Sequence, residues 1–252
     1  MKRPGIERIL LATDFGEGPY MGQMRARLGA LRPETPTLDL IQDLPPFRPD
    51  LAAYLLPALA RDMPRRSLYL CVVDPGVGGE RAGLLVQADG DWFMGPDNGL
   101  FALAVRRALE PIPWRIGWRP PRMSASFHGR DWFAPAAARL CRGEDLELSA
   151  LNPGDILGSD WPDELPAILY VDCFGNLITG LTVPAADHQG SLCVGTQRLP
   201  RARTFCEVAP GQAFWYENAF GLIEIAVNQG RADRALGLSV GDSIGPLSPD
   251  RG

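Results

Sequence analysis

Lysine is almost absent from this 252-residue chain: after Lys2 every basic side chain is an arginine, apart from the two histidines His128 and His188. Schiff-base chemistry and a Walker-type phosphate loop both need a lysine in the body of the chain, so both are excluded. No run of basic residues occurs, and a net charge of −5 with a pI near 5.1 argues against a nucleic-acid partner. The five cysteines (Cys71, Cys141, Cys173, Cys193 and Cys206) are odd in number and include no C-x-x-C pair. Most lie in apolar runs, which predicts buried free thiols in a reducing compartment. No apolar stretch reaches the roughly 20 residues of a membrane span. The N-terminal "MKRPGIERILLATDFG" lacks a signal-cleavage pattern, so a cytoplasmic protein with no membrane partner is expected. With two histidines and no ligand spacing, no metal site is expected either.

What is present is apolar sequence of changing period. "RILLAT", "TLDLI", "SLYLCVVD", "AGLLVQA" and "WFMG" read as strands. "YMGQMRARLGAL" reads as a helix with Met21, Met24, Leu28 and Leu31 on one face. "DLAAYLLPALARDM" is a helix that Pro57 should kink or split. "GLFALAVRRALE" and "DWFAPAAARLCRG" complete the helices. Strands alternating with helices predict an α/β N-terminal domain, its mostly parallel sheet flanked by helices on both faces. Residues 148–166 are rich in Pro, Gly and Asp and read as a crossover. Beyond them come short, closely spaced strands, "AILYVD", "NLITGLTV", "SLCVGT", "AFWYEN" and "LIEIAV", which predict a smaller all-β, barrel-like C-terminal domain. The expected division is a domain at 1–150, a linker at 151–165 and a domain at 166–252.

Ligands of parallel α/β sheets bind beyond the carboxyl ends of the strands. Two strands here end in an acid, "LLATD" at Asp14 and "YLCVVD" at Asp74. Glycine follows each within two residues and leaves room for close approach. The competing reading is that each aspartate caps its own loop. Seven residues after Asp74, across the small-residue loop "PGVGGE", stands Arg81. "SFHGRDWF" puts His128 where a loop becomes a helix; a helix N-terminus disfavours imidazolium, so a neutral base or acceptor is expected, against a plain capping role. His188, in "PAADHQG", reads as a solvated loop residue. "TDFG" lacks the partners of a kinase magnesium motif, and the strand after "GVGG" argues against a dinucleotide fingerprint. In the β-rich half, "VDCFGNLITG" places Asp172, Phe174 and Asn176 at alternate positions, on one face if extended. An aromatic ring and an amide together suit a purine. Asn218 and Phe220 repeat the pairing, with ordinary core as the alternative for the aromatics.

"LATDFG", "VVDPGVGGER", "GPDNGLF", "SFHGRDWFAPAAARL", "VDCFGNLIT" and "ENAFGLIEIAVNQG" occur in this order and cover nearly the whole chain. Together they resemble the S-adenosylmethionine hydroxide adenosyltransferases, water-using relatives of the bacterial fluorinase and chlorinase. The resemblance implies a homotrimer with active sites between neighbouring subunits. It also implies hydrolysis of S-adenosylmethionine to adenosine and L-methionine without metal or other cofactor. On it the catalytic trio is Asp74, Arg81 and His128, with Arg81 stabilising developing hydroxide while Asp74 and His128 orient water and take its proton. Asp14 chelates the ribose hydroxyls, Phe127 lies near C5′, Asp172 meets the methionine amino group, and Phe174 with Asn176 holds adenine, helped by the segment carrying Asn218 and Phe220. Asp97 and Asn98 shape a turn beneath the site. Three departures from the family pattern, the shortened first loop "EGPY", Ala219, and Thr179-Gly180 where Thr-Asn is usual, affect this picture; the first two remove polar groups from the methionine end, where backbone groups or Tyr20 would have to compensate. Two alternatives stand beside hydrolysis: a halide-using enzyme of the same fold, and a non-catalytic sensor of S-adenosylmethionine or adenosine.

Overall fold

Apolar runs of five or six residues that stop at a polar residue or glycine become strands in the computed structural model. It describes residues 4–183, 190–245 and, for the backbone alone, 247–248. His188 lies outside the described residues. The chain divides into two compact units, one up to Pro57 together with Met63–Trp161, the other Ala58–Asp62 with everything from Pro162 on.

The first unit carries β1 (Arg8–Thr13), α1 (Pro19–Leu31), β2 (Thr37–Ile41), α2 (Pro49–Ala60) as far as Pro57, β3 (Ser67–Val72), β4 (Gly83–Ala88), β5 (Asp91–Pro96), α3 (Ala102–Arg107), β6 (Ile112–Ile116), α4 (Ala134–Arg142) and β7 (Leu148–Ala150). Its sheet runs β2-β1-β3-β5-β4-β6-β7. The first four strands are parallel, and β4, β6 and β7 extend them antiparallel. β3 and β5 are buried at every position, as strands covered on both faces must be. In α1, Met21, Met24 and Leu28 are buried at helical spacing, and Leu31 is half-buried at the end of the stripe.

Some boundaries differ from the sequence expectation for physical reasons. Pro57 does not split α2, which continues to Ala60. So close to the helix end, the proline forfeits a single backbone bond before the helix would stop anyway. α3 is shorter than its apolar run: Gly99 takes φ 92, and the Leu109 N–H is claimed by the Asp89 carboxylate. Residues 148–150 of the expected crossover form the edge strand β7. Before α4, Gly129–Phe133 makes a π-helical turn, and Gly143 closes α4 in the left-handed conformation with φ 74.

The second unit is antiparallel. β8 (Leu165–Val171), β9 (Leu177–Gly180), β12 (Ala213–Glu217) and β13 (Ile223–Val227) form a sheet in the order β12-β13-β9-β8. β10 (Ser191–Val194), β11 (Gln197–Leu199) and β14 (Leu247–Ser248) form a smaller one, and α5 (Ala232–Leu236) follows β13. Ile168, Leu177, Trp215, Ile223 and Ile225 centre its core. The cysteines are free, but only Cys71 and Cys141 are buried; Cys173 and Cys206 are exposed because they sit in a hairpin turn and in a short 3-10 turn.

The sheet edge that matters follows from register. β1 and β3 are parallel neighbours with Thr13 opposite Val72, so Asp14 and Asp74 emerge from the same end of the sheet. Gly95 lets β5 lie close to β3, since a Cβ there would stand 2.1 Å from the Cys71 carbonyl oxygen and 3.0 Å from Phe101. Gly95→Ala is therefore expected to destabilise the fold by about 1–3 kcal/mol or more. Chemical denaturation measures this, and an unchanged midpoint would contradict the close approach.

Candidate active site

Beyond the ends of β1 and β3 lies a cavity of about 510 Å³, lined among others by Asp14, Phe15, Tyr20, Asp74, Phe127 and His128. The loop after β3 doubles back through bonds from the Val77 N–H to the Asp74 carbonyl and from the Gly79 N–H to the Gly76 carbonyl. Gly78 adopts φ 84, and a Cβ there would meet the Ala125 carbonyl at 2.6 Å, so the loop requires glycine. The turn returns Arg81 to Asp74. Arg81 Nε lies 3.0 Å from both carboxylate oxygens, and Nη2 bonds Oδ2 as well. The pair is shielded, with side chains 10% and 4% exposed. Arg81 Nη2 also lies 2.9 Å from Nδ1 of the buried His128.

That last contact determines the state of the imidazole. A guanidinium only donates, so Nδ1 must accept and the ring proton sits on Nε2. Burial, then the adjacent Arg81 charge, holds the His128 pKa below its ordinary value, with Asp74 partly opposing. The shift runs in the direction expected from sequence, with burial and Arg81 as its leading causes. With Nδ1 engaged by Arg81 the remaining ring nitrogen is Nε2, which carries the proton in this tautomer and can donate a hydrogen bond but not accept one.

Asp14 accepts the Phe47 N–H at 3.2 Å, and burial pushes its pKa up. Phe47 itself escaped the sequence reading. It follows Pro45-Pro46, sits at φ 61 in a turn closed by the Arg48 N–H on the Pro45 carbonyl, and lines the cavity as a residue 73% exposed. The double proline was the available signal. Phe127 packs edge-on against Phe15 and Tyr20 at centroid distances of 5.7 and 5.3 Å. Asn98 donates to the Val73 carbonyl at 2.8 Å, the supporting turn role expected of it.

In the second unit a cavity of about 690 Å³ is lined by Asp172, Phe174, Asn176, Tyr216, Glu224 and Arg231, among others. The three residues expected here do meet, though not on an extended strand. Residues 172–176 form the β8–β9 turn, with Gly175 at φ 86 and the Asp172 N–H on the Asn176 carbonyl. The Asp172 carboxylate takes the N–H groups of Phe174 and Asn176 and the Asn176 side-chain amide. Asn218 is tied into the β12–β13 hairpin: its Oδ1 accepts the N–H of Phe220 and of Leu222, and one Nδ2 N–H donates to the buried Glu224, which leaves the second N–H as its remaining donor. Neither Asn218 nor Phe220 lines this cavity. The missed side chains are Tyr216 and Glu224, joined by a hydrogen bond from the tyrosine hydroxyl. They face each other across paired strands, a relation visible only once the register is known.

Among the described residues no three His, Cys, Asp or Glu side chains gather as metal ligands, and no helix is long and apolar enough to cross a membrane.

Residues 9–150 match the SAM hydroxide adenosyltransferase N-terminal domain and residues 166–245 its C-terminal domain. A Thermus thermophilus protein named (R)-S-adenosyl-L-methionine hydrolase is 40% identical over 260 aligned residues, spanning 92% of this chain and 96% of that one. A protein of the same name from Salinispora arenicola is 33% identical, spanning 94% and 96%. The structure of an uncharacterized conserved protein from Thermotoga maritima superposes with a TM-score of 0.82 at 28% identity, covering 94% of this chain and 98% of that one.

Because the folded site resists protonation of His128, the unfolded chain takes up that proton first as pH falls. Wild-type stability is expected to hold above about pH 6.5 and to fall between there and the lower folded-state value. Thermal melts across this range should show a shallower decline for His128→Gln; parallel curves would refute the assignment.

Proposed function

The chain belongs to the SAM hydroxide adenosyltransferase family, and from that premise we propose that it hydrolyses S-adenosyl-L-methionine to adenosine and L-methionine by in-line attack of water on C5′. The O–C5′ bond forms as the C5′–S bond breaks. The bonding pair goes to sulfur, which leaves as a neutral thioether and needs no acid. The released proton passes to the site and then to solvent. The chemical difficulty is the nucleophile, since free water has a pKa of about 15.7.

The observation that carries this reading is the Asp74–Arg81–His128 cluster at the cavity. Asp74 is the one member left with acceptor capacity towards the cavity, so it takes the water proton. His128 Nε2–H holds the water oxygen. Arg81 acts from behind, fixing the carboxylate by its Nε and Nη2 and the imidazole tautomer by Nη2. Positioning of this kind supplies up to about 7–11 kcal/mol. In the proposal Asp14 chelates the ribose hydroxyls and Phe127 packs near C5′. For adenine the proposal takes Phe174 and Asn176, as the resemblance implies, from a neighbouring subunit of the trimer. Asp172, held rigid by its turn, keeps lone pairs for the methionine ammonium group. The relatives' names specify the R epimer at sulfur, and the proposal extends that preference to this chain. It includes a homotrimer, which light scattering on the purified protein tests.

Incubation with each sulfonium epimer in ¹⁸O-water, with and without chloride, should yield adenosine labelled at the 5′ oxygen plus unlabelled methionine, faster from the R epimer. A 5′-chloro product would instead indicate halogenation, and intact ligand a sensor. Asp74→Asn should lower kcat by about 10²–10⁴ and His128→Ala, which removes one positioned donor, by about 10²–10³, each with KM little changed. Unaltered turnover in both would remove the cluster from the reaction.

A further inference from the structure

Behind the catalytic cluster stands a residue with no assigned role. Trp132 is completely buried in the π-helical turn, four residues after His128. Its ring meets the His128 imidazole edge-on at 5.7 Å and 81°. The Arg81 guanidinium carbon lies 5.4 Å from the Trp132 ring centre and 5.2 Å from that of Phe133, and the two aromatic rings stack at 4.7 Å. A second cation, Arg119, lies over the same indole at 4.2 Å. The indole N–H is tied to the Trp118 carbonyl at 2.8 Å, so the ring cannot turn freely. The opposing strand makes room for it: a Cβ at Gly83 would stand 2.8 Å from the Trp132 ring and 3.2 Å from Phe133.

These contacts converge on two groups whose placement the reaction needs. Arg81 spends Nε and Nη2 on Asp74 and His128, while its buried Nη1 has no acceptor among the described residues. Hydrogen bonds therefore leave one side of the guanidinium unsupported, and the aromatic faces supply electrostatic support without competing for its protons. We propose that Trp132 is a positioning residue of the hydrolysis, holding Arg81 and His128 against one another, and that Arg119 fixes the indole in that pose. The inference rests on the hydrolytic reading and adds a residue to it. Arg119 has an electrical consequence as well. The charged groups facing His128 are Arg81 and Asp74 from the loop after β3, Arg119 from the segment after β6, and Asp131 from its own turn. Of these, Arg81 and Arg119 disfavour the imidazolium and the two carboxylates favour it.

The test uses the full-length protein and four variants. Trp132→Leu should lower kcat about thirtyfold, the loss that corresponds to a desolvated cation–π contact of about 2 kcal/mol, with KM for S-adenosylmethionine retained. Trp132→Phe should recover part of that loss. If Trp132→Leu does not fold, Gly83→Ala provides the second lever, since it displaces the indole without removing it and should also reduce kcat more than it changes KM. Arg119, being exposed, can be replaced without disturbing the core. Arg119→Leu should move the acid limb of the kcat profile to higher pH, because removing a cation eases His128 protonation, and Arg119→Lys should restore it. Wild-type kcat in all the folded Trp132 and Gly83 variants, or an acid limb that stays put in Arg119→Leu, would overturn the proposal. A wild-type enzyme that releases no adenosine would instead refute the hydrolytic reading itself.

Discussion

A carboxylate and a guanidinium shut away from water are the constraint around which the first unit is organised. Breaking such a pair by removing one partner costs about 3–5 kcal/mol, because the other charge is stranded. Asp74 and Arg81 therefore hold each other, and what keeps them together must be built into the fold. A parallel strand delivers the acid, a glycine-dependent turn reverses the chain, and β4 begins two residues after the arginine. His128 completes the arrangement as a third polar group whose protonation burial, and then the arginine, disfavours. The three groups are held by one another, and in the proposed reaction the same cluster orients the attacking water.

Charge is arranged economically around the cavity. Asp74 is neutralised in place by Arg81, while Asp14 is lifted by burial and restrained by the Phe47 N–H, so two acids share one sheet edge with limited repulsion. A cationic sulfonium fits such surroundings better than a neutral thioether would. After C–S cleavage the sulfur is neutral and that attraction is gone, which favours departure of methionine. The second unit follows the same logic on a smaller scale, with a rigid carboxylate in a tight turn and an aromatic ring beside it.

Much of this was legible in the residues because it depends on local chemistry. Strands that end in aspartate, a glycine loop followed by arginine, and a histidine at a turn into a helix all declare themselves in sequence. Register and short-range capping did not. The expected alternation of Asp172, Phe174 and Asn176 was in fact a turn, since Gly175 at positive φ breaks the period-two pattern. Asn218 reads in sequence as a recognition amide, and nothing in its spacing shows that three hydrogen bonds tie it into the hairpin. β6 and β7 were missed because five- and three-residue strands bearing arginine, proline and serine show no clean alternation. The tautomer of His128 was inaccessible for a different reason. It depends on which ring nitrogen faces Arg81, a matter of angles that no spacing encodes.

The central claim, that this cluster addresses the adenosyl carbon, is tested most directly by a crystal structure of the protein with adenosine bound. The account predicts the product's 5′ oxygen within about 2.6–3.2 Å of both the Asp74 carboxylate and His128 Nε2. A 5′ oxygen remote from both, with adenosine otherwise fully ordered, would contradict it.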